Sequence, residues 1–197
     1  MNSGPNVFGF RIALLDHQPE IWRRVLVPGS LRLDQLHLVF QEVMGWTNSH
    51  LHQFRIGDAL YGMHVDDWPE EELHEIEFRL ADLAHAGERF AYDYDFGDSW
   101  EHALIVEKVL TAELNVAYPL CTDGKLGGPP EDCGGIGGFY HMLEALDDPN
   151  HEDHEDMRDW IESFDPEAFS VEAVNKRLRK VFHPAHKSKS ARAAKSN

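Results

Sequence analysis

The period of the apolar positions changes along this chain, and each change predicts a different element. NVFGFRIALL (6–15) and IWRRVLV (21–27) are rich in β-branched and aromatic residues. The turn-like His17-Gln18-Pro19 separates them, so they predict two strands of a hairpin. From Leu33 to Met44 the spacing becomes three and four, through Leu33, Leu36, Val39, Phe40 and Val43, which predicts a helix. Asp34 suits the positive end of its dipole, and Gly45 supplies a stop. HLHQFRIG (50–57) predicts a strand, with Ala59 to Gly62 as a short partner.

The acidic, Pro-containing DDWPEEELHEIE (66–77) predicts a solvated loop leading to a strand or short helix near Phe78 to Leu83. A second hairpin follows, its outgoing strand running to about Leu110. The Gly- and Pro-rich segment 118–138 predicts an irregular loop. Three helices close the chain at roughly 139–147, 153–163 and 171–182, the last with Ser170 as N-cap and a stripe of Val171, Val174, Leu178 and Val181. Paired strands followed by gathered helices predict a single α+β domain: a largely antiparallel sheet with one early helix and three C-terminal helices packed on it. Its bounds are 6–182, with an N-terminal arm at 1–5 and a basic tail at 183–197.

The second hairpin carries the first candidate chemistry. In YDYDFGDSWEH (92–102) aromatic and acidic residues alternate, so Asp93 and Asp95 share one strand face. A two-residue turn at Gly97-Asp98 would set Asp93 opposite His102 and Asp95 opposite Trp100. Directly opposed residues lie about 5 Å apart at Cβ, so the carboxylate could fix the imidazole tautomer. A three-residue loop would break that arrangement, and the pair could equally do no more than tie two strands together.

His50 and His52 form an H-x-H pair whose side chains would project from one strand face. Together with Asp93 and His102 they are candidate ligands for a divalent metal. Cys121 and Cys133 fit no tight C-x-x-C zinc pattern and read as buried thiols, a zinc completed by two histidines being the alternative. GGIGG could present amides to an anion, although Glu131 and Asp132 just upstream disfavour phosphate.

Charge narrows the partners. All 35 acidic residues precede residue 176, against 10 Lys and Arg, a balance of −25; the last 22 residues carry +8 and no acid. A body this acidic repels phosphate backbones, so no direct nucleic-acid binding is expected of it, with the basic tail as the exception. The sequence has no apolar run of membrane-spanning length and no secretory signal pattern, and its two cysteines resemble cytosolic thiols, so the expectation is a cytoplasmic protein without membrane contact.

The strings IWRRV, LHLVFQEVMGW, HLHQFRI, YDYDFGDSWEH, YPLCTDG and PPEDCGG, in that order, resemble the plasmid pRiA4b ORF-3-like family from about residue 7 to about 180. The resemblance implies a single α+β domain of no established activity, found on plasmids and in chromosomes. Some members are labelled insertion-element passengers or TnpR-like, yet a resolvase would need a basic, DNA-facing surface that this acidic body lacks. The family motifs include His37, Trp46 and Phe54 and gather polar and aromatic residues in loops and strand ends, which suggests a shared cleft.

Three functions follow. The leading one is a binding module whose cleft, drawn from His50, His52, Tyr94, Asp95, Asp98, Trp100, His102, Glu131, Asp132 and Cys133, takes a peptide or small polar ligand. The others are a metal-assisted hydrolytic enzyme using His and Asp, and a mobile-element accessory protein acting through its basic tail.

Overall fold

Eight strands share one sheet in the order β5 (Glu72–His74), β4 (Ala59–Gly62), β3 (His52–Ile56), β6 (Arg89–Tyr94), β7 (Trp100–Thr111), β1 (Asn6–Leu14), β2 (Trp22–Pro28) and β8 (Leu120–Lys125), antiparallel at every step except β4 to β5. This computed structural model describes residues 6–63, 72–161 and 164–184. The expectations for the arm, for 66–71 and for most of the basic tail therefore lie outside the described residues.

The first hairpin is β1 (Asn6–Leu14) with β2 (Trp22–Pro28), and β7 (Trp100–Thr111) pairs with the other edge of β1. Flanked on both sides, β1 buries residues on both faces. The second half of the sheet is β3 (His52–Ile56), β4 (Ala59–Gly62), β5 (Glu72–His74) and β6 (Arg89–Tyr94), with β6 joining the halves through β7. The acidic run thus adds an edge strand and then a 3-10 turn, Glu75–Glu77, where a solvated loop was expected.

Helix α1 (Leu33–Met44) forms as its period predicts, and Gly45 ends it in the left-handed conformation at φ 97°. Its stripe of Leu33, Leu36, Val39, Phe40 and Val43 is buried with Phe10, Val25, Phe54, Tyr92 and Leu104 in one core. Each such side chain contributes roughly 1.5–3 kcal/mol of burial. Helix α2 is a single turn, Leu80–Leu83. Three helices then close the domain: α3 (Gly135–Asp147), α4 (His154–Ile161) and α5 (Val171–Phe182), with Ser170 capping α5 through the Ala173 amide.

Two further features depart from the sequence reading. Within the Gly/Pro segment, Leu120–Lys125 forms β8 on the edge of β2. Its Cys121 backbone exchanges two 2.8 Å hydrogen bonds with the buried Asn175 side chain of α5, which occupies polar groups an edge strand leaves open. Helix α3 also begins four residues early, inside GGIGG. A Cβ on Gly138 would lie 1.8 Å from the Cys133 carbonyl, and one on Gly135 2.4 Å from that of Asp98. These glycines permit close backbone packing. The Gly134 amide before α3 donates to Asp98 Oδ2 at 3.2 Å, so a carboxylate of the protein itself lies where an anion was considered.

Candidate functional site

The second hairpin departs from the two-residue turn. Tyr94 pairs with Trp100, Asp93 with Glu101 and Tyr92 with His102, leaving 95–99 as the loop. Asp95 takes the left-handed conformation at φ 57°, its Oδ1 accepts the Gly97 amide at 3.0 Å, and its carbonyl accepts the Ser99 amide at 2.6 Å. Asp tolerates that backbone because its side chain closes the turn itself. The shift of one residue puts Asp93 on the sheet face away from His102. Burial and the facing Glu101 hold the Asp93 carboxyl above its usual range.

That register turns Tyr92, Tyr94, Trp100 and His102 into the core. Trp46 stacks on Tyr94 with centroids 4.8 Å apart and meets the His102 ring edge-on at 5.4 Å. His102 Nδ1 donates to the Tyr92 carbonyl at 3.3 Å, its Nε2 is buried without a partner, and burial pushes its pKa down to about 4. It is a neutral core histidine beneath the site.

The PPEDCGG loop is clamped onto these elements at three points. Trp46 Nε1 donates to the Pro129 carbonyl at 2.9 Å. Glu131 accepts from Tyr94 Oη at 2.6 Å, from the Thr47 amide at 3.0 Å and from the Thr47 hydroxyl. Burial works against its charge, but these bonds hold the Glu131 carboxyl below its usual range. The third point is Asp98 on Gly134. Between the last two sits Asp132, at φ 58° and largely exposed, with Oδ1 2.9 Å from His50 Nε2. Asp95 Oδ2 lies 3.6 Å from the same nitrogen. Cys133 faces a separate cavity of about 260 Å³ with His141 and Trp160, and burial, then Asp98, pushes its thiol up to about 12.

Beside this loop lies a cleft of about 570 Å³, lined by Asp34, His37, Leu38, Asn48, Ser49, His50, Leu51, His52, Met63 and Glu75. His37 and His52 form its floor. Their rings stack with centroids 3.5 Å apart and planes 6° from parallel. Gln41 Nε2 donates to Tyr92 Oη at 3.2 Å, Tyr92 Oη donates to His37 Nδ1 at 2.7 Å, and His37 Nε2 donates to Asn48 Oδ1 at 2.6 Å. Those partners assign the Nε2–H tautomer of His37. Burial first, then His52, pushes its pKa down to about 3, so it is neutral. His52 Nε2 donates to Glu75 Oε2 at 2.8 Å, both side chains almost fully buried, while Nδ1 has no partner.

A larger cavity of about 860 Å³ lies elsewhere, between the end of α1 and the segment before α5. Its two guanidiniums are committed to backbone carbonyls: Arg23 to Val43, Trp22 and Lys125, and Arg177 to Glu42. Both cavities carry carboxylates, Asp165 and Glu167 in the larger one, but the smaller cleft alone of the two is lined by imidazoles, so it is the chemically richer of the two.

Of the residues singled out from sequence, the structure brings His50 and His52 to the cleft wall and Asp95 and Asp132 to His50. Tyr94, Asp98 and Glu131 position the loop, and Trp100 and His102 are core. His50, His52, Asp93 and His102 do not form one group of ligand atoms among the described residues. Asn48 and Glu75 were not in that set, and His37 entered only among the family motif residues. Glu75 was concealed inside an acidic run, but His37 and Gln41, four apart on an otherwise apolar helix face, were a legible signal of a buried polar pair.

Among the described residues no helix is long and apolar enough to cross a membrane. The family model for plasmid pRiA4b ORF-3-like protein matches residues 6–173. The uncharacterized protein y4hQ of Sinorhizobium fredii (strain NBRC 101917 / NGR234) is 39% identical over 170 residues, covering 82% of this chain and 86% of that protein. The crystal structure of a protein of unknown function from Methanosarcina mazei Go1 superposes with a TM-score of 0.80 at 35% identity, covering 86% of this chain and 97% of the other. The match spans the sheet, the hairpin, the cleft and the clamped loop, and this chain belongs to the plasmid pRiA4b ORF-3-like family.

Proposed function

We propose that the protein is a binding module that takes a small polar ligand, or the end of a peptide, into the cleft floored by His37 and His52. The observation that carries this reading is the state of His52. Its imidazole is buried in the cleft wall, one nitrogen committed to Glu75 and the other without a partner. An unmatched buried acceptor costs about 1–3 kcal/mol; Nδ1 is itself shielded from solvent, so a ligand N–H or O–H recovers that cost as affinity when a small shift of the surrounding side chains admits it. The net charge of −17 disfavours phosphate and other anions and favours amines, while the two carboxylates of the wall are already bonded, Asp34 to Arg32 and Glu75 to His52. Both nitrogens of His37 are already engaged, which fits a rigid wall better than a proton carrier.

A thermal-shift panel of amines, free amino acids and dipeptides tests this on the full chain and on Met63→Trp. Met63 is half-exposed at the cleft wall, so the indole fills the opening without entering the core. Compounds that stabilise the wild type should lose their effect in the variant. Equal shifts in both proteins would place binding elsewhere and sink the reading.

A further inference from the structure

We infer that His50, Asp95 and Asp132 form a binding site for a single divalent transition cation, of the zinc or manganese class, at the seam between the cleft and the PPEDCGG loop. The site does not depend on what the cleft binds.

The three side chains come from three separated segments: His50 just before β3, Asp95 at the start of the hairpin loop and Asp132 in the clamped loop. One donor atom from each lies within 4.8 Å of the others. Donors bonded to one cation at about 2.0–2.2 Å sit roughly 3–3.5 Å from each other. The His50 Nε2 distances of 2.9 Å to Asp132 Oδ1 and 3.6 Å to Asp95 Oδ2 bracket that range.

A simple ion pair is the competing explanation, and the His50 nitrogen argues against it. Nε2 is shielded from solvent, yet it makes no hydrogen bond even though a carboxylate oxygen is 2.9 Å away. That oxygen therefore lies well off the axis of the ring nitrogen. Such an offset is unfavourable for a hydrogen bond, which prefers a nearly linear donor. It is what ligands around one cation adopt, because their lone pairs converge on a third point and not on each other.

Each ligand is also held in place by groups other than its fellow ligands. Asp95 Oδ1 is taken by the Gly97 amide, which leaves Oδ2 for His50. Asp132 is fixed by the Glu131 and Gly134 anchors on either side. The His50 ring packs edge-to-face on Tyr94, centroids 5.9 Å apart. One imidazole and two carboxylates suit borderline cations better than a thiolate-seeking one, and three protein ligands leave coordination positions open. His50 also lines the cleft, so a cation held there borders the ligand space.

The test is calorimetric titration of metal-stripped full-length protein with Zn²⁺ alone and with Mn²⁺ alone, the latter also followed by electron paramagnetic resonance. Asp95→Asn and Asp132→Asn are the decisive variants, because Asn tolerates the left-handed backbone both positions require. His141→Ala is the control for the other His and Asp grouping, His141 with His151 and Asp153. The expected result is one equivalent of at least one cation, weakened about tenfold or more in each Asn variant and unchanged in His141→Ala. Melting temperatures without metal identify a variant that fails to fold, and the other carboxylate variant then decides. No binding of either cation by the wild type, binding indifferent to both Asn variants, or binding lost in His141→Ala would each overturn the inference.

Discussion

The imidazole of His37 lies flat on that of His52, centroids 3.5 Å apart and planes within 6°. Two imidazolium rings could not share that geometry, because like charges at this separation repel strongly where water is excluded. The stack is held from its two ends by different groups, Tyr92 and Asn48 for His37 and Glu75 for His52. Helix α1, strand β3 and the 3-10 turn therefore meet at one buried polar layer, and that layer floors the cleft.

Stability should fall on mild acidification. Burial holds His37 at about 3 and His102 at about 4, against about 6.5 in the unfolded chain. The unfolded state therefore takes up protons that the folded state refuses. The stabilising contribution is complete above pH ~6.5 and is lost progressively as pH falls toward the folded values. Urea unfolding at pH 7.5 and 5.5 should differ by about 2–3 kcal/mol from these two groups. His102→Leu should remove about half of that difference, whatever it does to stability at pH 7.5; an unchanged difference would mean that His102 is not the buried neutral group described.

Glu75 is a structural acceptor despite its acidic neighbours. Glu75→Ala leaves the buried His52 Nε2–H without a partner and should cost about 1–3 kcal/mol. Glu75→Gln retains a carbonyl acceptor and should recover most of the loss. Thermal melts of the two variants decide it, and equal melting temperatures would return Glu75 to the solvated face its neighbours suggest.

Tyr94 anchors the clamped loop. Its phenol donates to Glu131 and accepts the Ser49 amide at 3.1 Å, and burial, then the Glu131 bond, raises its pKa. Tyr94→Phe keeps the stack on Trp46 and removes both hydrogen bonds, for about 1–3 kcal/mol. Amide hydrogen exchange should accelerate at 131–135 and near Ser49 while the centre of the sheet keeps its protection. Uniform acceleration would point to general loosening.

Two glycines at the start of α3 should respond in opposite directions. Gly135 has φ +65°, and its Cβ would meet the Asp98 carbonyl at 2.4 Å, so Gly135→Ala should cost upward of ~2 kcal/mol. Gly137 has open space around it inside the helix, so Gly137→Ala should gain about 0.5–1 kcal/mol. Urea midpoints measure both, and a destabilised Gly137→Ala would contradict the packing described.

Elements with a long, regular period were legible in the sequence: α1 runs over Leu33–Met44 and α5 over Val171–Phe182, as their stripes predict. Strand β8 was not, because its pairing partner lies almost a hundred residues earlier and its composition is that of a loop. The hairpin register failed for a local reason. Gly97 looks like the residue that takes the left-handed turn position, but Asp95 and Ser99 take it at φ 57° and 54°. Strand alternation then turns a shift of one residue into a change of face, moving Asp93 from His102 to Glu101. For the candidate site, side-chain type identified His50, Asp95 and Asp132 as chemically notable. Only the clamps on Glu131 and Gly134 determine that they meet.

The most direct test of the cleft as the ligand site is a long-range ¹H–¹⁵N spectrum of the histidine rings, recorded on the full chain with and without those amines, amino acids and dipeptides that raise its melting temperature. Binding in the cleft predicts that the His52 Nδ1 resonance moves first and furthest, with His37 following and the core His102 unmoved. Binding that leaves His37 and His52 unchanged while shifting other signals would contradict the account.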